Sequence, residues 1–230
     1  SNRLFYLGTN NYSGGRQVGQ LIKEALPGGG QIMIYVGKMD VLNAQQRREG
    51  VIDELKEGVS ASATKPSGLP RTAIMAGKYI ILDTRTDQGD RATAKKNAEN
   101  TLKKYPDIDA MVGLWAYNVP QCLEALKDVG MEGQVRLISF DEDELTLQGI
   151  KDGYVHGTVV QQPYEFGYQS VKYLKALVGG DTSMIPENKQ LDIPTKVIKK
   201  NNVEEFWAHL KALQQLGEEA RKAGNSTGER

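Results

Sequence analysis

The sequence predicts an α/β protein in which a doubly wound parallel sheet of about six strands is covered by helices on both faces. Short apolar runs alternate along the chain with segments whose apolar residues recur at helical spacing. One of these runs, Gln31–Val36, is almost continuously apolar, as expected of a strand that is covered on both faces. Because strand and helix alternate so regularly, we expect parallel strands joined by right-handed crossovers.

The strands are predicted from short apolar runs that end at polar or turn-forming residues. They cover Leu4–Leu7, Gln31–Val36, Lys78–Leu82, Ala110–Leu114, Val135–Phe140 and Tyr154–Val160. Two further extended pieces, 191–193 and 195–198, are joined at Pro194. Residues 57–77 and 179–190 lack a regular period and are predicted to be irregular connections, the first of them a long surface loop.

A helix is predicted after each of the six strands from the apolar stripe that it would bury. Asn43 is a candidate cap for the second helix. Pro120 suits the first turn of the fourth helix, where its missing N–H costs nothing. The helix that follows the sixth strand carries Val171, Leu174 and Val178 on one face, and a final helix follows residue 200.

Composition excludes several classes of function. The chain has 230 residues, with 29 Lys and Arg against 29 Asp and Glu, so its net charge does not indicate a nucleic-acid partner. It contains no apolar run approaching the roughly 18 residues that a membrane span requires. Cys122 is the only cysteine, and the two histidines are His156 and His209. These residues favour neither a disulfide nor a metal site, and we expect no cofactor.

Catalytic signatures are largely missing from the sequence. It contains no nucleophile elbow, no phosphate-binding loop, no dinucleotide-binding glycine motif after a strand and no zinc-protease helix motif. A carboxylate pair drawn from Asp83, Asp87 and Asp141 leaves a hydrolase open. The expectation is nevertheless a protein that is not an enzyme.

Polar and aromatic residues follow the predicted strands, at the edge of a parallel sheet where ligands bind. They are Asn10 and Asn11 after the first strand, Lys38, Asp40, Asn43 and Gln45 after the second, Asp83, Arg85 and Asp87 after the third, Trp115, Tyr117 and Asn118 after the fourth, Asp141 after the fifth, and Gln161 and Gln162 after the sixth. Amides and carboxylates can pair with adjacent hydroxyls, and aromatic rings can cover the C–H face of a sugar. This chemistry predicts a polyol or sugar pocket.

Each candidate also has a purely structural interpretation. Asp141 is as well placed to cap the next helix as to bind a ligand. For Asn10 and Asn43, a turn or cap role is favoured over ligand contact. Trp115 and Tyr117 are two positions apart, and one of them is expected to face a neighbouring helix as part of the core.

The order of four motifs resembles a known family. The motifs are Tyr6-Leu7-Gly8-Thr9-Asn10-Asn11-Tyr12 with Gly15-Arg16, Gln46-Arg47-Arg48-Glu49-Gly50-Val51, Ile138-Ser139-Phe140-Asp141, and Thr158-Val159-Val160-Gln161-Gln162-Pro163. Together they are similar to the periplasmic sugar-binding proteins of the type I fold, the ribose-binding-protein-like solute receptors of ABC transporters. The resemblance covers the chain from Arg3 to about Leu216 and extends to the effector domains of LacI-type repressors.

The resemblance implies roles for individual residues. Asp141 and Gln161 match family positions that commonly hydrogen-bond sugar hydroxyls, and Arg47 matches the second arginine of the family's helix motif. The first arginine of that motif is replaced by Gln45. The family's Asn-Asp after the fourth strand is replaced by Trp115-Ala116-Tyr117-Asn118, a change that implies stacking on the ligand or the use of Asn118.

The resemblance also implies a division of the chain between two lobes. Residues 1–161 and 194–216 would form the carboxy-terminal ligand-binding lobe, and 162–193 would belong to an amino-terminal lobe that is otherwise absent. Residues 217–230 would be a flexible tail. The helix with Val171 and Leu174 would then lack its packing partner, which suggests a fragment, self-association or pairing with the missing lobe.

The implied function is capture of a monosaccharide or similar small polar ligand by hinged closure of the lobes. An ABC transporter permease would be the partner, and the location would be the periplasm or another extracytoplasmic space, with a signal or lipoprotein segment upstream. Two alternatives from other classes are the effector-binding domain of a LacI-type regulator and a sugar-converting enzyme on the same sheet.

Overall fold

The computed structural model describes residues 3–57 and 68–227, and these fold into alternating strands and helices. The strands are β1 (Tyr6–Gly8), β2 (Gly30–Val36), β3 (Ile74–Ala76), β4 (Tyr79–Thr86), β5 (Ala110–Gly113), β6 (Arg136–Phe140), β7 (Val155–Val160), β8 (Gln190–Asp192) and β9 (Lys196–Ile198). The helices are α1 (Asn11–Ala25), α2 (Leu42–Lys56), α3 (Arg91–Lys104), α4 (Asn118–Asp128), α5 (Glu144–Asp152), α6 (Pro163–Val178) and α7 (Val203–Thr227).

The main sheet has the strand order β3-β4-β2-β5-β6-β7-β9. Its five inner strands are parallel, and β3 and β9 are antiparallel edge strands. The chain runs from β2 outward to β4 and then returns to β5 on the other side of β2, so the order reverses beside β2. The predicted α/β class with a mostly parallel sheet is therefore confirmed, and the reversal marks the carboxyl ends of β2 and β5 as the place for a ligand.

The first predicted strand does not belong to this sheet. β1 pairs in parallel with β8, in register Tyr6 to Gln190, as a separate two-stranded sheet, so its expected place in the main sheet is wrong. Tyr6 N–H also donates to the carbonyl of Lys189 at 2.9 Å, and α6 packs against β1. The backbone partner of β1 is β8, which lies near the other end of the sequence. The order of the elements along the chain does not predict this pairing.

Three other boundaries differ from expectation. β4 continues to Thr86, so Asp83 and Arg85 lie within the strand rather than after it. The predicted loop 57–77 contains β3, while its residues 58–67 lie outside the described part of the chain. α7 continues past residue 217 to Thr227, into the segment that the sequence assigns to the tail.

Helices cover both faces of the main sheet, and the side chains of β2 alternate between two cores. Met33 and Tyr35 lie in one buried cluster, together with the stripe of α4. Ile32 and Ile34 lie in the other cluster, together with α1 and α2. This two-sided burial explains why the run Gln31–Val36 is almost continuously apolar.

Glycines bring α1 and α2 into close contact. A Cβ atom at Gly15 would lie 2.8 Å from the Cα of Arg47, and one at Gly50 would lie 2.8 Å from the backbone nitrogen of Arg16. Both distances are shorter than real Cβ atoms tolerate, so only glycine permits this crossing. The crossing holds Arg47 beside the beginning of α1.

Three chain crossings connect the main sheet to the unit formed by β1, α6 and β8. They lie side by side: Ile193 N–H donates to the carbonyl of Gly8 at 2.8 Å, and Gln162 Nε2 donates to the carbonyl of Pro194 at 2.6 Å. α6 has no buried residue, and Val178 is 89% exposed, so its apolar face lacks the packing partner that the resemblance assigns to the other lobe. Among the described residues, no helix combines the length and apolar character needed to cross a membrane.

Candidate functional site

A chain of hydrogen-bonded side chains joins the carboxyl ends of β6 and β7. Gln161 Nε2 donates to Asp141 Oδ1 at 2.7 Å, and Arg47 Nη1 lies 3.5 Å from Asp141 Oδ2. Gln161 Oε1 in turn accepts from the hydroxyl of Thr9 at 2.7 Å. The expected neighbourhood of Asp141 and Gln161 is therefore present, and it reaches the crossing from β1 to α1.

Asp141 adopts a left-handed backbone conformation with φ of 71°. Its N–H donates to the carbonyl of Val159 at 2.7 Å, and its carbonyl accepts from the hydroxyl of Thr158 at 2.7 Å. The cap of α5 is instead Asp143, whose carboxylate accepts from Leu145 N–H. The helix-cap interpretation of Asp141 is thus wrong, and its side chain is turned toward Gln161 and Arg47.

Arg47 is buried and held by several partners. Its Nε donates to Asn11 Oδ1 at 2.9 Å, and Nη1 donates to the carbonyl of Leu114 at 2.8 Å. Only 3% of its side chain is exposed, against 20% of that of Asp141. The guanidinium hydrogen-bonds α1 and the residue after β5, and it pairs with the residue after β6. Arg47 therefore connects α1 to the carboxyl ends of two neighbouring strands.

Burial and pairing act in opposite directions on this ion pair. Burial raises the pKa of Asp141, while Arg47 and the hydrogen bond from Gln161 oppose the rise. Burial lowers the pKa of Arg47, while Asp141 opposes that decrease. The pair therefore presents hydrogen-bond donors and acceptors in fixed directions, at a position that burial partly shields from water.

A mostly polar cleft of about 530 Å³ opens on Thr9, Gln161 and Arg47, between α1, α2 and the β1–β8 sheet, and Asp141 is held against two of these lining residues. Its lining residues are Arg3, Tyr6, Thr9, Asn10, Asn11, Leu42, Asn43, Gln46, Arg47, Gln161 and Gln190. The volume falls within the range of small-molecule sites. Among the described residues, no group of three His, Cys, Asp or Glu side chains is arranged to hold a metal ion.

Two predicted residues reach the cleft in unexpected ways. Asn10 caps α1 through Ser13 N–H and also donates to Asp192 Oδ2 at 3.0 Å, so it connects the start of α1 to the β1–β8 sheet. Asn43 lies inside the first turn of α2 rather than at its cap, which is Val41. The Oδ1 atom of Asn43 is buried and finds no partner among the described residues, and Asn43 is one of the residues that line the cleft.

Gln45 is exposed and donates to the carbonyl of Met39 at 2.9 Å, outside the cleft lining. Gln46 lines the cleft instead. Successive residues of a helix point in directions about 100° apart. Gln46 therefore occupies the face of α2 on which the motif places Gln45.

The aromatic segment after β5 packs within the protein. The ring of Trp115 lies over Gly37 and against the core cluster of α1 and α2, which makes it the core member of the pair. Tyr117 donates its hydroxyl to Asp87, and Asn118 Nδ2 donates to the same carboxylate at 3.0 Å. Burial and Asp87 together raise the pKa of Tyr117. None of these side chains lines the cleft around Arg47.

Comparison with known proteins identifies the family of this chain. The family described as "Periplasmic binding protein domain" matches residues 1–182. The chain belongs to this family. The predicted type I fold and the expected membership of the periplasmic-binding-protein family are thereby confirmed.

Several characterised proteins are similar to this periplasmic binding protein domain. The xylose/arabinose-binding protein XylF of Sulfolobus acidocaldarius is 23% identical over 209 residues, which are 88% of this chain and 46% of XylF. The ribose import binding protein RbsB of Bacillus subtilis is 28% identical over 148 residues, which are 60% of this chain and 48% of RbsB. The chain thus spans about half the length of the curated relatives it matches.

Solved structures give the same fold. GanP, a glucose-galactose binding protein from Geobacillus stearothermophilus, superposes with a TM-score of 0.74 at 27% identity, over 88% of this chain and 64% of GanP. A solute-binding protein of an ABC transporter from Burkholderia graminis, in complex with D-arabinose, gives a TM-score of 0.73 at 25% identity, over 87% of this chain and 63% of its own.

The sequence did not indicate six of the residues that line the cleft of this periplasmic binding protein domain. They are Arg3, Tyr6, Thr9, Leu42, Gln46 and Gln190. Thr9 and Gln46 are the sequence neighbours of the candidates Asn10 and Gln45. Moving the motif alignment by one position would have identified both. Gln190 carries no local signal, because it comes to the cleft only through the pairing of β8 with β1.

Proposed function

We propose that this periplasmic binding protein domain binds a monosaccharide or a similar small polyol, without covalent chemistry, in the cleft beside Arg47. The observation that carries the proposal is the chain Thr9–Gln161–Asp141–Arg47 at the cleft edge, which combines planar amide, carboxylate and guanidinium groups. Such groups present paired donors and acceptors at the spacing of adjacent sugar hydroxyls. Asn43, one turn before Arg47 on α2, also lines the cleft and adds an amide whose Oδ1 has no partner among the described residues.

The names of relatives support the sugar class. XylF is named for xylose and arabinose, RbsB for ribose, and the Burkholderia graminis protein was solved with D-arabinose. These proteins are named as binding proteins, which supports a receptor rather than an enzyme. No observation on this chain favours a LacI-type effector domain.

The proposed receptor works by closure of two lobes about the three side-by-side crossings. The main sheet and the helices packed on it, from α1 to β7 and from β9 onward, form one lobe. Residues 162–193 belong to the other lobe, together with β1, because β1 pairs only with β8 among the described strands. A ligand that touches Gln161 and the β1–β8 sheet at once binds the closed form more tightly, and this difference in affinity drives closure.

The location and partner follow from the proposed role. A solute receptor of this family acts outside the cytoplasmic membrane and delivers its ligand to an ABC transporter permease. Both statements rest on the family and on the relatives' names.

The test is a titration of the 230-residue chain with D-ribose, D-xylose, D-arabinose, D-allose and D-glucose by calorimetry. We expect at least one sugar to bind. Asp141→Asn keeps the shape of the side chain but removes its charge, so we expect affinity to fall by about 10- to 100-fold.

Asp152→Asn is the matched control, since Asp152 is exposed and bonded only to Gln148 among the described side chains. It should leave affinity unchanged. Failure of all five sugars to bind, or equal affinity of the Asp141→Asn and wild-type proteins, would overturn the proposal.

A further inference from the structure

A second cavity lies on the other side of Gln161 from the cleft, between the start of α6, the edge strand β9 and α7. We call it the α6–α7 cavity. It has a volume of about 330 Å³, within the range of small-molecule sites. Its lining residues are Glu142, Gln161, Gln162, Pro163, Tyr164, Glu165, Lys196, Phe206, His209, Leu210, Leu213 and Gln214.

The walls of the α6–α7 cavity are mainly apolar. Phe206, Leu210 and Leu213 present one face of α7, and Pro163 and Tyr164 present the first turn of α6. The polar side chains on the lining come from the segments before α5 and α6, from β9, and from α6 and α7 themselves. An apolar enclosure with a small number of converging polar groups is the usual form of a ligand site.

Glu142 is the lining carboxylate that keeps one oxygen without a partner among the described residues. It follows Asp141 and precedes the cap of α5, and its Oε2 atom is buried without a partner among the described residues. A buried carboxylate oxygen without a donor is costly unless a ligand or ion supplies one. Burial and the neighbouring charge of Asp141 raise the pKa of Glu142 to about 7, so the carboxyl changes charge near neutral pH.

The charges that face the cavity favour a cation. The titratable groups on its lining are Glu142 before α5, Glu165 on α6, Lys196 on β9 and His209 on α7. The two carboxylates outnumber the single lysine, and in the described part of the chain no ion pair joins Lys196 to Glu142. An ammonium group in the cavity therefore meets the carboxylate of Glu142 in surroundings of net negative charge.

We propose that the α6–α7 cavity is a second small-molecule site, which takes an organic amine whose ammonium pairs with Glu142 and whose apolar body lies against Phe206, Leu210 and Leu213. The site is separate from the sugar cleft, although Gln161 borders both. It does not depend on whether a sugar binds.

The test uses benzylamine as the probe and benzyl alcohol as its uncharged counterpart, each titrated into the 230-residue chain and followed by amide chemical shifts in NMR. We expect benzylamine to bind at pH 8 in about the millimolar range, which is usual for so small a ligand. Shifts should concentrate at Glu142 and in α7 around Leu210. Benzyl alcohol should bind at least about 10-fold more weakly, because it offers no charge to the carboxylate.

Substitutions test whether Glu142 supplies the negative charge that binds the amine. Glu142→Gln should reduce benzylamine affinity to that of benzyl alcohol, whereas Glu144→Gln, at an exposed position in the first turn of α5, should have no effect. Because Glu142 has a pKa of about 7, benzylamine affinity should fall about 10-fold between pH 8 and pH 6. The fall should persist in His209→Gln, which separates the carboxyl from the imidazole.

Each contrary result overturns the proposal. Absence of benzylamine binding to the wild-type chain, equal binding of the two probes, or full affinity in Glu142→Gln would each do so. The comparison of the two probes on the wild-type chain stands even if a variant does not fold. A negative result here leaves the sugar titrations unaffected, and a failure to bind sugar leaves the amine site standing.

Discussion

The guanidinium carbon of Arg47 lies 3.7 Å from the centroid of the Phe140 ring. Stacking on the ring and the hydrogen bonds to Asn11 and Leu114 together fix the plane of the guanidinium. The residue after Phe140 is Asp141, so one short turn supplies both the ring beneath Arg47 and the carboxylate beside it. The candidate site therefore depends on Arg47 as an arginine and not merely as a cation.

Replacement of Arg47 by lysine is expected to destabilise the fold. A lysine keeps the charge but cannot stack on Phe140 and bond Asn11 and Leu114 at once, and it leaves Asp141 without its partner. The free energy of unfolding should fall by about 2–4 kcal/mol. Urea unfolding measures it, with Arg136→Lys at an exposed position of β6 as the control. A loss no greater than that of the control would contradict this account of Arg47.

Two glycine substitutions should act in opposite directions. In Gly50→Ala the new Cβ would lie 2.8 Å from the backbone nitrogen of Arg16 and closer still to the carbonyl of Tyr12, so α1 and α2 must separate. We expect a loss of about 2 kcal/mol or more. In Gly167→Ala, inside α6, the Cβ meets nothing within 4 Å, and helix propensity predicts a gain of up to about 1 kcal/mol.

Thermal melts of the two glycine variants provide the measurement. The difference between them separates steric conflict from helix propensity, because both changes add one methyl group to a helix. A stabilised Gly50→Ala variant would show that the two helices are not packed as closely as described.

Much of this fold is predictable because its determinants are local. The apolar run Gln31–Val36 and its relatives define parallel strands, and the residues after each run lie at one edge of the sheet by topology alone. The topology of the sheet therefore predicts from sequence alone that Asp141 and Gln161 lie close together. It does not place β1, since a strand of three residues takes whichever partner the tertiary structure offers, here Gln190–Asp192.

The candidate site is predictable to the element but not to the side chain. Sequence identifies the first turn of α2, yet helix phase decides that Gln46 rather than Gln45 lines the cleft. Sequence also selects Tyr117 and Asn118, but their nearest acceptor is Asp87, which lies 30 and 31 positions away in the chain. Such long-range partners follow from packing rather than from any local pattern.

The network around Asp87 gives a third prediction. This buried carboxylate accepts from the Tyr117 hydroxyl, Asn118 Nδ2 and Gly89 N–H. Tyr117→Phe removes one donor from it, and we expect a loss of about 1–2 kcal/mol in the free energy of unfolding. Sugar affinity should change less than two-fold (roughly the resolution of such titrations), since Tyr117 does not line the cleft.

Tyr168→Phe is the control for that experiment, because Tyr168 is 57% exposed on α6. It should leave stability unchanged. A marked loss of sugar affinity in Tyr117→Phe, without a loss of stability, would instead assign Tyr117 to the ligand.

The raised pKa of Glu142 gives a prediction on pH and stability. Its folded-state pKa of about 7 lies above the ordinary value of 4.5, so between these values the folded protein holds a proton that the unfolded chain has released. Stability from this group is therefore full below about pH 4.5 and is lost as the pH rises to about 7. Glu142→Gln removes the cost of a buried charge, and the variant should exceed wild type at pH 8 by about 1–2 kcal/mol, after allowance for partial exposure. The difference should shrink toward zero at pH 5, as measured by urea unfolding at both pH values. Glu144→Gln should show no such pH-dependent difference, and a Glu142→Gln advantage that is equal at pH 5 and pH 8 would mean that the carboxyl titrates elsewhere.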